Sequence, residues 1–222
     1  MKQKKRKRRL KKGRVLLLIL ILLAISFLCY KFINIPIKSI TIKGNDILTD
    51  NEIIEIAKLN NYPSIFSVFS FDIKNKLEKN PYIEKAKITK AFLNIKINIT
   101  EKKVLYINYK TKEKVTLNTT IKDNKTLCVP YLTSDILSEK KADFIKAMGK
   151  IDKDILCKMS EIKYYPNEID KDRYLVHMND GNSVYLTVNK FKKINKYDSI
   201  LENVGKQNGT LYLDYGDYFQ AK

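Results

Sequence analysis

A chain of 222 residues that is 44 % hydrophobic and 30 % charged carries enough apolar material for one medium core or two small ones. Its formal net charge is +19, and the first fourteen residues hold ten lysines or arginines and no acid, so more than half of the excess sits in a short N-terminal tail. Three cysteines, seven glycines and a single histidine argue against a disulfide framework, a zinc cluster or a glycine-rich phosphate cradle.

The tail runs straight into residues 15–30, VLLLILILLAISFLCY, which are uncharged and almost wholly apolar. Sixteen residues fall short of the roughly 20 that a bilayer core needs. Gly13 on one side, and Phe32 and Ile33 beyond a snorkelling Lys31 on the other, extend the span, which is read as a transmembrane helix over residues 15–33. A basic run also suits nuclear targeting, nucleic-acid binding or a merely solvated tail. Directly before an apolar span it is a topology signal, which makes residues 1–14 a cytoplasmic tail and the rest extracytoplasmic. Residues 26–31 lack the small-residue pattern of a cleavage site, and Cys29 follows Leu28, so the helix is expected to stay as an uncleaved anchor in the cytoplasmic membrane. Cys128 and Cys157 lie outside the span and are expected to be buried thiols rather than a single bridge.

Residues 34–38 form an extended connector in which Pro36 blocks the helix from continuing. A first unit follows over residues 39–103. Ile40 and Ile42 alternate along a strand, Gly44-Asn45 turns the chain, and Thr49 with Glu52 makes a capping box for a helix carrying Ile53, Ile56, Ala57 and Asn60. Pro63 is expected to end that helix. Ser70 is expected to cap a second one, with Ile73 and Leu77 inward and Asn80-Pro81 as its stop. Strands over 83–90 and 95–100 complete a β-α-α-β-β order. One core is predicted from Ile40, Ile42, Ile53, Ala57, Ile73, Leu77, Ala86, Ile88, Ile97 and Ile99.

The second unit, residues 104–219, reads as strands at 104–109, 114–117 and 128–132, helices at 138–149 and 152–159, and strands at 162–165, 174–178 and 183–188. The last two are joined by the turn Asn179-Asp180-Gly181-Asn182. A helix over 191–204 and a closing strand over 210–215 follow, leaving residues 220–222 as a short tail. The fold class is therefore α+β: one membrane helix, a β-α-α-β-β domain, then a mixed β-sheet domain with helices.

Catalytic chemistry has no foothold in this pattern. His177 stands alone in a strand, and ligands come in clusters. Asp152 and Asp154 fall at a helix start, where they offset the dipole, and Asp170 and Asp172 lie in a polar loop. No serine elbow, no Cys–His pair with supporting spacing and no cofactor or metal site is found, so a non-enzymatic protein is expected. The lysines of the outer part are interleaved with acids, and no nucleic-acid partner is expected there.

The run Ile40-Thr41-Ile42-Lys43-Gly44-Asn45, the capped helix, and then residues 77–86 (LEKNPYIEKA) resemble a POTRA domain of the FtsQ type. Residues 95–102 resemble its closing strand, with Glu101-Lys102 in place of the usual Glu-Arg and with Lys103-Val104 where a proline is usual. Farther on, Asp180-Gly181 in its hairpin, the lysine-bearing helix with Lys193, Ile194, Tyr197, Ile200 and Leu201, and the strand Leu211-Tyr212-Leu213-Asp214-Tyr215 are similar to the β domain of the FtsQ/DivIB family. The likeness covers roughly residues 10–219.

The resemblance implies a divisome scaffold at the division septum. It would bind FtsL-like and FtsB/DivIC-like single-pass proteins and help to control the septal peptidoglycan synthesis machinery. A C-terminal strand at a sheet edge is also a ready template for a partner's strand. The contact residues expected are Thr210, Leu211, Tyr212, Leu213, Asp214, Tyr215, Tyr218 and Phe219, with Lys193 and Tyr197 on the preceding helix. The alternatives are another POTRA-bearing signal-anchored protein, such as a secretion or sporulation channel component, and an anchored cell-wall enzyme. The enzyme would need convergent polar residues.

Overall fold

The computed structural model describes residues 12–205 and 207–222. The basic tail assigned to residues 1–14 therefore lies, up to residue 11, outside the described residues. The chain divides into two compact units, one ending at Glu101 and the other beginning at Lys102.

The first unit opens with helix α1, Lys12–Ile33, 22 residues with none buried, in which the most apolar 18 residues have a mean hydropathy of 2.7. At 1.5 Å per residue it is about 33 Å long, enough to cross a hydrocarbon core of about 30 Å. Then come β1 (Ser39–Lys43), α2 (Asp50–Ile56), α3 (Ser70–Glu78), β2 (Ile83–Ala91) and β3 (Asn94–Glu101), in the β-α-α-β-β order. The sheet order is β1-β3-β2, with β3 central, parallel to β1 and antiparallel to β2. The pairing Ile42↔Ile97↔Ile88 puts these isoleucines on one face, as alternation requires. Ile53, Ala57, Ile73, Leu77, Ala86, Ile97 and Ile99 are buried there, while Ile40, Ile42 and Ile88, on the two outer strands, are half-buried.

Thr49 and Glu52 form the capping box in both directions. Helix α2 nevertheless ends at Ile56, well before Pro63, because Lys58 adopts a left-handed φ of 56° and breaks the helical path. Leu59 is buried just beyond that break, whereas Asn60 is exposed. Ser70 is the first residue of α3 rather than its cap; Phe69 stands at the cap without a side-chain hydrogen bond. The Glu101 carboxylate accepts from the backbone N–H groups of Asp46, Ile47 and Leu48 at 2.8, 2.7 and 2.9 Å, tying the β1–α2 turn to the end of β3.

Among the described residues the second unit is built on one nine-stranded mixed sheet with helices packed against it. Its elements are β4 (Val104–Asn108), β5 (Lys114–Thr116), β6 (Thr120–Ile121), β7 (Tyr131–Leu132), α4 (Ser138–Gly149), α5 (Lys153–Lys158), β8 (Met159–Tyr164), β9 (Arg173–Met178), β10 (Ser183–Thr187), a 3-10 stretch Val188–Lys196, α6 (Tyr197–Asn203), β11 (Gly209–Tyr212) and β12 (Tyr218–Ala221). The strand order is β12-β11-β10-β9-β8-β7-β4-β5-β6. Phe144, Met148, Tyr174, Val176, Val184, Leu186, Phe191, Ile194 and Leu211 pack into one core between the sheet and its helices.

Five expectations change here. The strand expected over 128–132 holds only at Tyr131–Leu132. The helix expected over 191–204 is two pieces, a 3-10 stretch and α6. The strand expected over 210–215 stops at Tyr212. Gln220 and Ala221, expected in a short tail, belong to a further strand, β12. Cys128 and Cys157 form a disulfide, with Cα atoms 4.7 Å apart, instead of remaining thiols. The cause is the parallel pairing of β7 with β8, Tyr131↔Glu161 and Leu132↔Ile162, which carries the residues just upstream of both strands side by side.

Candidate partner-binding edge

The sheet of the second unit ends at β12. It pairs antiparallel with β11 through Gly209↔Ala221, Thr210↔Gln220, Leu211↔Phe219 and Tyr212↔Tyr218, and among the described residues no strand lies on its other side. The Lys222 N–H donates to Asn208 O at 3.0 Å, which fixes the phase. Tyr218 and Gln220 turn their backbone groups toward β11, and those of Phe219 and Ala221 face outward. This is the geometry onto which a further strand can add.

Side chains alternate across β9 to β12. Tyr174, Val176, Val184, Leu186, Leu211 and Phe219 face the helices, and Arg173, Tyr185, Tyr212 and Tyr218 face the other way. On that outer face the tyrosines form a ladder. Tyr165 lies 6.0 Å from Tyr185, Tyr185 stacks on Tyr212 at 5.2 Å, and Tyr212 stacks on Tyr218 at 4.6 Å between ring centroids. The Arg173 guanidinium sits 3.7 Å over the Tyr185 ring, a cation–π contact. Burial pushes the Tyr185 hydroxyl up from its ordinary pKa, against the Arg173 charge that pulls it down. The ladder thus leads from a fixed cation to the open edge.

The turn between β11 and β12 is held by charge. Arg173 Nε donates to Asp214 Oδ2 at 2.6 Å, Lys190 Nζ donates to Asp214 O at 2.5 Å, and Lys193 Nζ meets Asp217 at 2.6 Å. Gly209 lets the two strands close: a Cβ there would lie 2.2 Å from Gln220 O and 3.0 Å from the Ala221 Cα. Behind it, the Asn182 side chain accepts from the Gly209 N–H at 2.7 Å and donates to the Tyr197 hydroxyl at 2.9 Å. That hydroxyl donates in turn to Asp180 at 2.8 Å. Burial, and then this bond to Asp180, push the Tyr197 pKa well up.

The structure therefore divides the ten residues expected at the interface. Tyr215 and Tyr218 are exposed, Tyr212, Thr210, Phe219 and Lys193 are half-buried, and all lie on or beside the edge. Leu211, Leu213 and Tyr197 are buried, so their side chains face the core, and Asp214 is taken up by Arg173. The strand expected at the edge, β11, is flanked on both sides by β10 and β12. Arg173, Tyr185, Gly209, Gln220 and Ala221 escaped sequence reasoning. The alternation Tyr218-Phe219-Gln220-Ala221 after Gly216-Asp217 was the available signal for β12, but four residues at a chain end are a short period to read.

His177 is exposed on β9, with Ser183 Oγ 3.2 Å from its Nδ1, and Asp172 is paired with Lys140. Among the described residues no group of three or more His, Cys, Asp or Glu side chains could hold a metal ion.

Residues 35–102 match the family of POTRA domains of the FtsQ type. The chain is 26 % identical to the cell division protein DivIB of Listeria monocytogenes over 99 % of this chain and 85 % of that one. It is 26 % identical to DivIB of Bacillus subtilis, over 97 % and 87 %. For DivIB of Geobacillus kaustophilus the figures are 27 % identity over 97 % and 87 %. A solved structure of the major extracytoplasmic domain of DivIB from Geobacillus stearothermophilus, in its trans isomer, aligns with 48 % of this chain and 97 % of that one, at 24 % identity and a TM-score of 0.39.

Proposed function

We propose that the chain, which carries a POTRA domain of the FtsQ type and is similar over nearly its whole length to DivIB cell-division proteins, is a non-enzymatic scaffold of the division complex, anchored by α1 with its N-terminus in the cytoplasm. Its folded units stand outside the membrane at the septum, where it binds FtsL-like and FtsB/DivIC-like single-pass proteins and so helps to control septal peptidoglycan synthesis. A partner segment adds to β12 as a tenth strand. Backbone hydrogen bonds to Phe219 and Ala221 give affinity, and side chains set over Tyr212, Tyr215 and Tyr218 give choice.

What carries this reading is the open edge of β12, whose outward backbone groups stand beside a tyrosine ladder on a rigid sheet. Ten basic residues and no acid before the span support the orientation. The test uses the full chain in detergent with its co-expressed FtsB/DivIC-like partner. Ala221→Pro removes one outward N–H at an exposed site and leaves the pairing of Gln220 with β11 in place. Partner binding is expected to fall about tenfold or more, as for the loss of one interfacial hydrogen bond and its neighbours. Unchanged binding by Ala221→Pro, together with unchanged binding on deletion of residues 217–222, would move the interface away from this edge.

A further inference from the structure

One end of the first unit displays aromatic side chains that folding does not account for. Phe92 sits at the two-residue tip between β2 and β3 with a left-handed φ of 51°, and it is 89 % exposed. A tight hairpin tip favours Asn or Gly, and a Cβ in this backbone region carries a steric penalty. Tyr62 repeats the combination, with φ 48° and 50 % exposure. Phe66 and Phe69, in the same loop as Tyr62, are also exposed large side chains.

These aromatics cluster where the chain leaves the membrane helix. Ser64 Oγ donates to Ile33 O, the last residue of α1, and the Phe32 and Phe66 rings lie 5.6 Å apart. The Ile65 N–H donates to Ile35 O and the Ile37 N–H to Pro63 O, both at 3.0 Å. The Lys38 N–H donates to Leu93 O at 2.8 Å, which brings the hairpin tip to the same place. Lys90 Nζ ties the two together by donating to Ile65 O and Val68 O at 2.6 and 2.5 Å. Loop and tip are thus fastened within five residues of the end of a helix built to cross a bilayer.

We propose that Tyr62, Phe66, Phe69 and Phe92 form a membrane-interface foot, inserted among the headgroups and upper acyl chains of the leaflet from which α1 emerges. This rests on α1 being a membrane span. The physical reasons are continuity and chemistry. A surface this close to the end of the span faces lipid before it can face anything else. Aromatic rings are the side chains enriched at that depth, and Lys31 and Lys38 beside them suit anionic headgroups. Lipid contact also removes the penalty of exposing Phe92, which water would impose on a residue the turn itself disfavours. The foot would hold the sheet at a set height over the membrane.

The chain contains no tryptophan, so one substitution creates one fluorescent reporter. The full chain is reconstituted in phosphatidylcholine–phosphatidylglycerol vesicles carrying bromine at shallow or deep acyl positions. Three variants are compared: Phe92→Trp at the foot, Glu84→Trp near the other end of β2, and Leu22→Trp in the middle of α1. Eight residues of strand put the first two reporters about 26 Å apart. Phe92→Trp is expected to emit at shorter wavelength and to be quenched at least twofold more than Glu84→Trp by shallow bromines, while Leu22→Trp is quenched by deep ones. Tyr62→Trp serves as a second reporter at the foot and should behave as Phe92→Trp. Equal, weak quenching of the two foot reporters and Glu84→Trp, with Leu22→Trp still quenched, overturns the foot alone. An unquenched Leu22→Trp overturns the span and the foot with it.

Discussion

Arg173 and Asp214 form an ion pair of 2.6 Å between the start of β9 and the turn after β11, with side chains only 11 % and 5 % exposed. The same guanidinium covers Tyr185 on the outer face, so a single side chain braces both the turn that delivers β12 and the ladder that lines it. Asp214 thus serves the edge by holding it in place.

Asp214→Ala would leave the Arg173 charge buried and unpaired. The expected loss is about 3–5 kcal/mol in the second unit, the usual cost of removing one partner of a buried pair. Urea unfolding, followed by the double variant with Arg173→Met, checks this. The double variant is expected to recover part of the loss, because no orphaned charge remains.

Gly209→Val tests whether β12 depends on close approach to β11. Its Cβ would collide with the backbone of Gln220 and Ala221, and backbone atoms cannot step aside as a flexible side chain can. Amide protection at residues 218–221 is expected to be lost, with partner binding down about tenfold or more, while α4 and β8 to β10 keep their protection. Hydrogen exchange read by mass spectrometry gives both results.

Glu101→Gln should weaken the first unit. The carboxylate accepts three backbone hydrogen bonds in a nearly buried position, and an amide offers one acceptor oxygen and a donor that faces donors. A loss of about 2–3 kcal/mol is expected, in line with hydrogen bonds to a charged group. Thermal unfolding of the full chain should show the transition of the first unit moving down and that of the second unchanged.

Reduction of Cys128–Cys157 should destabilise the second unit. For a bridge spanning 29 residues of sequence, the chain-entropy account gives about 3–4 kcal/mol. Cys128→Ala with Cys157→Ala should reproduce the effect of reductant, and adding reductant to the double variant should do nothing more. A melt unaffected by reductant in the parent chain would contradict the bridge.

Several elements of this fold follow from local rules. An apolar run directly behind ten basic residues specifies a spanning helix. Thr49 and Glu52 start α2 by a capping box that needs only four residues. Strict alternation at Ile95, Ile97 and Ile99 fixes β3 and its buried face. The hairpin at Asp180-Gly181 declares itself by a residue that accepts a φ of 89°. The remaining features depend on contacts between residues distant in sequence. The Cys128–Cys157 bridge follows from the parallel pairing of β7 and β8, whose two-residue pairing leaves no periodic trace. Tyr197 was legible as a helix aromatic, but its burial comes from the core it joins, and its hydroxyl is held by Asn182 and Asp180 of the distant hairpin turn. The edge moved from β11 to β12 for the same reason. A four-residue strand becomes a strand only when Gly209 and the Arg173–Asp214 brace bring it against a neighbour, so its presence is a property of the packed sheet rather than of its own residues.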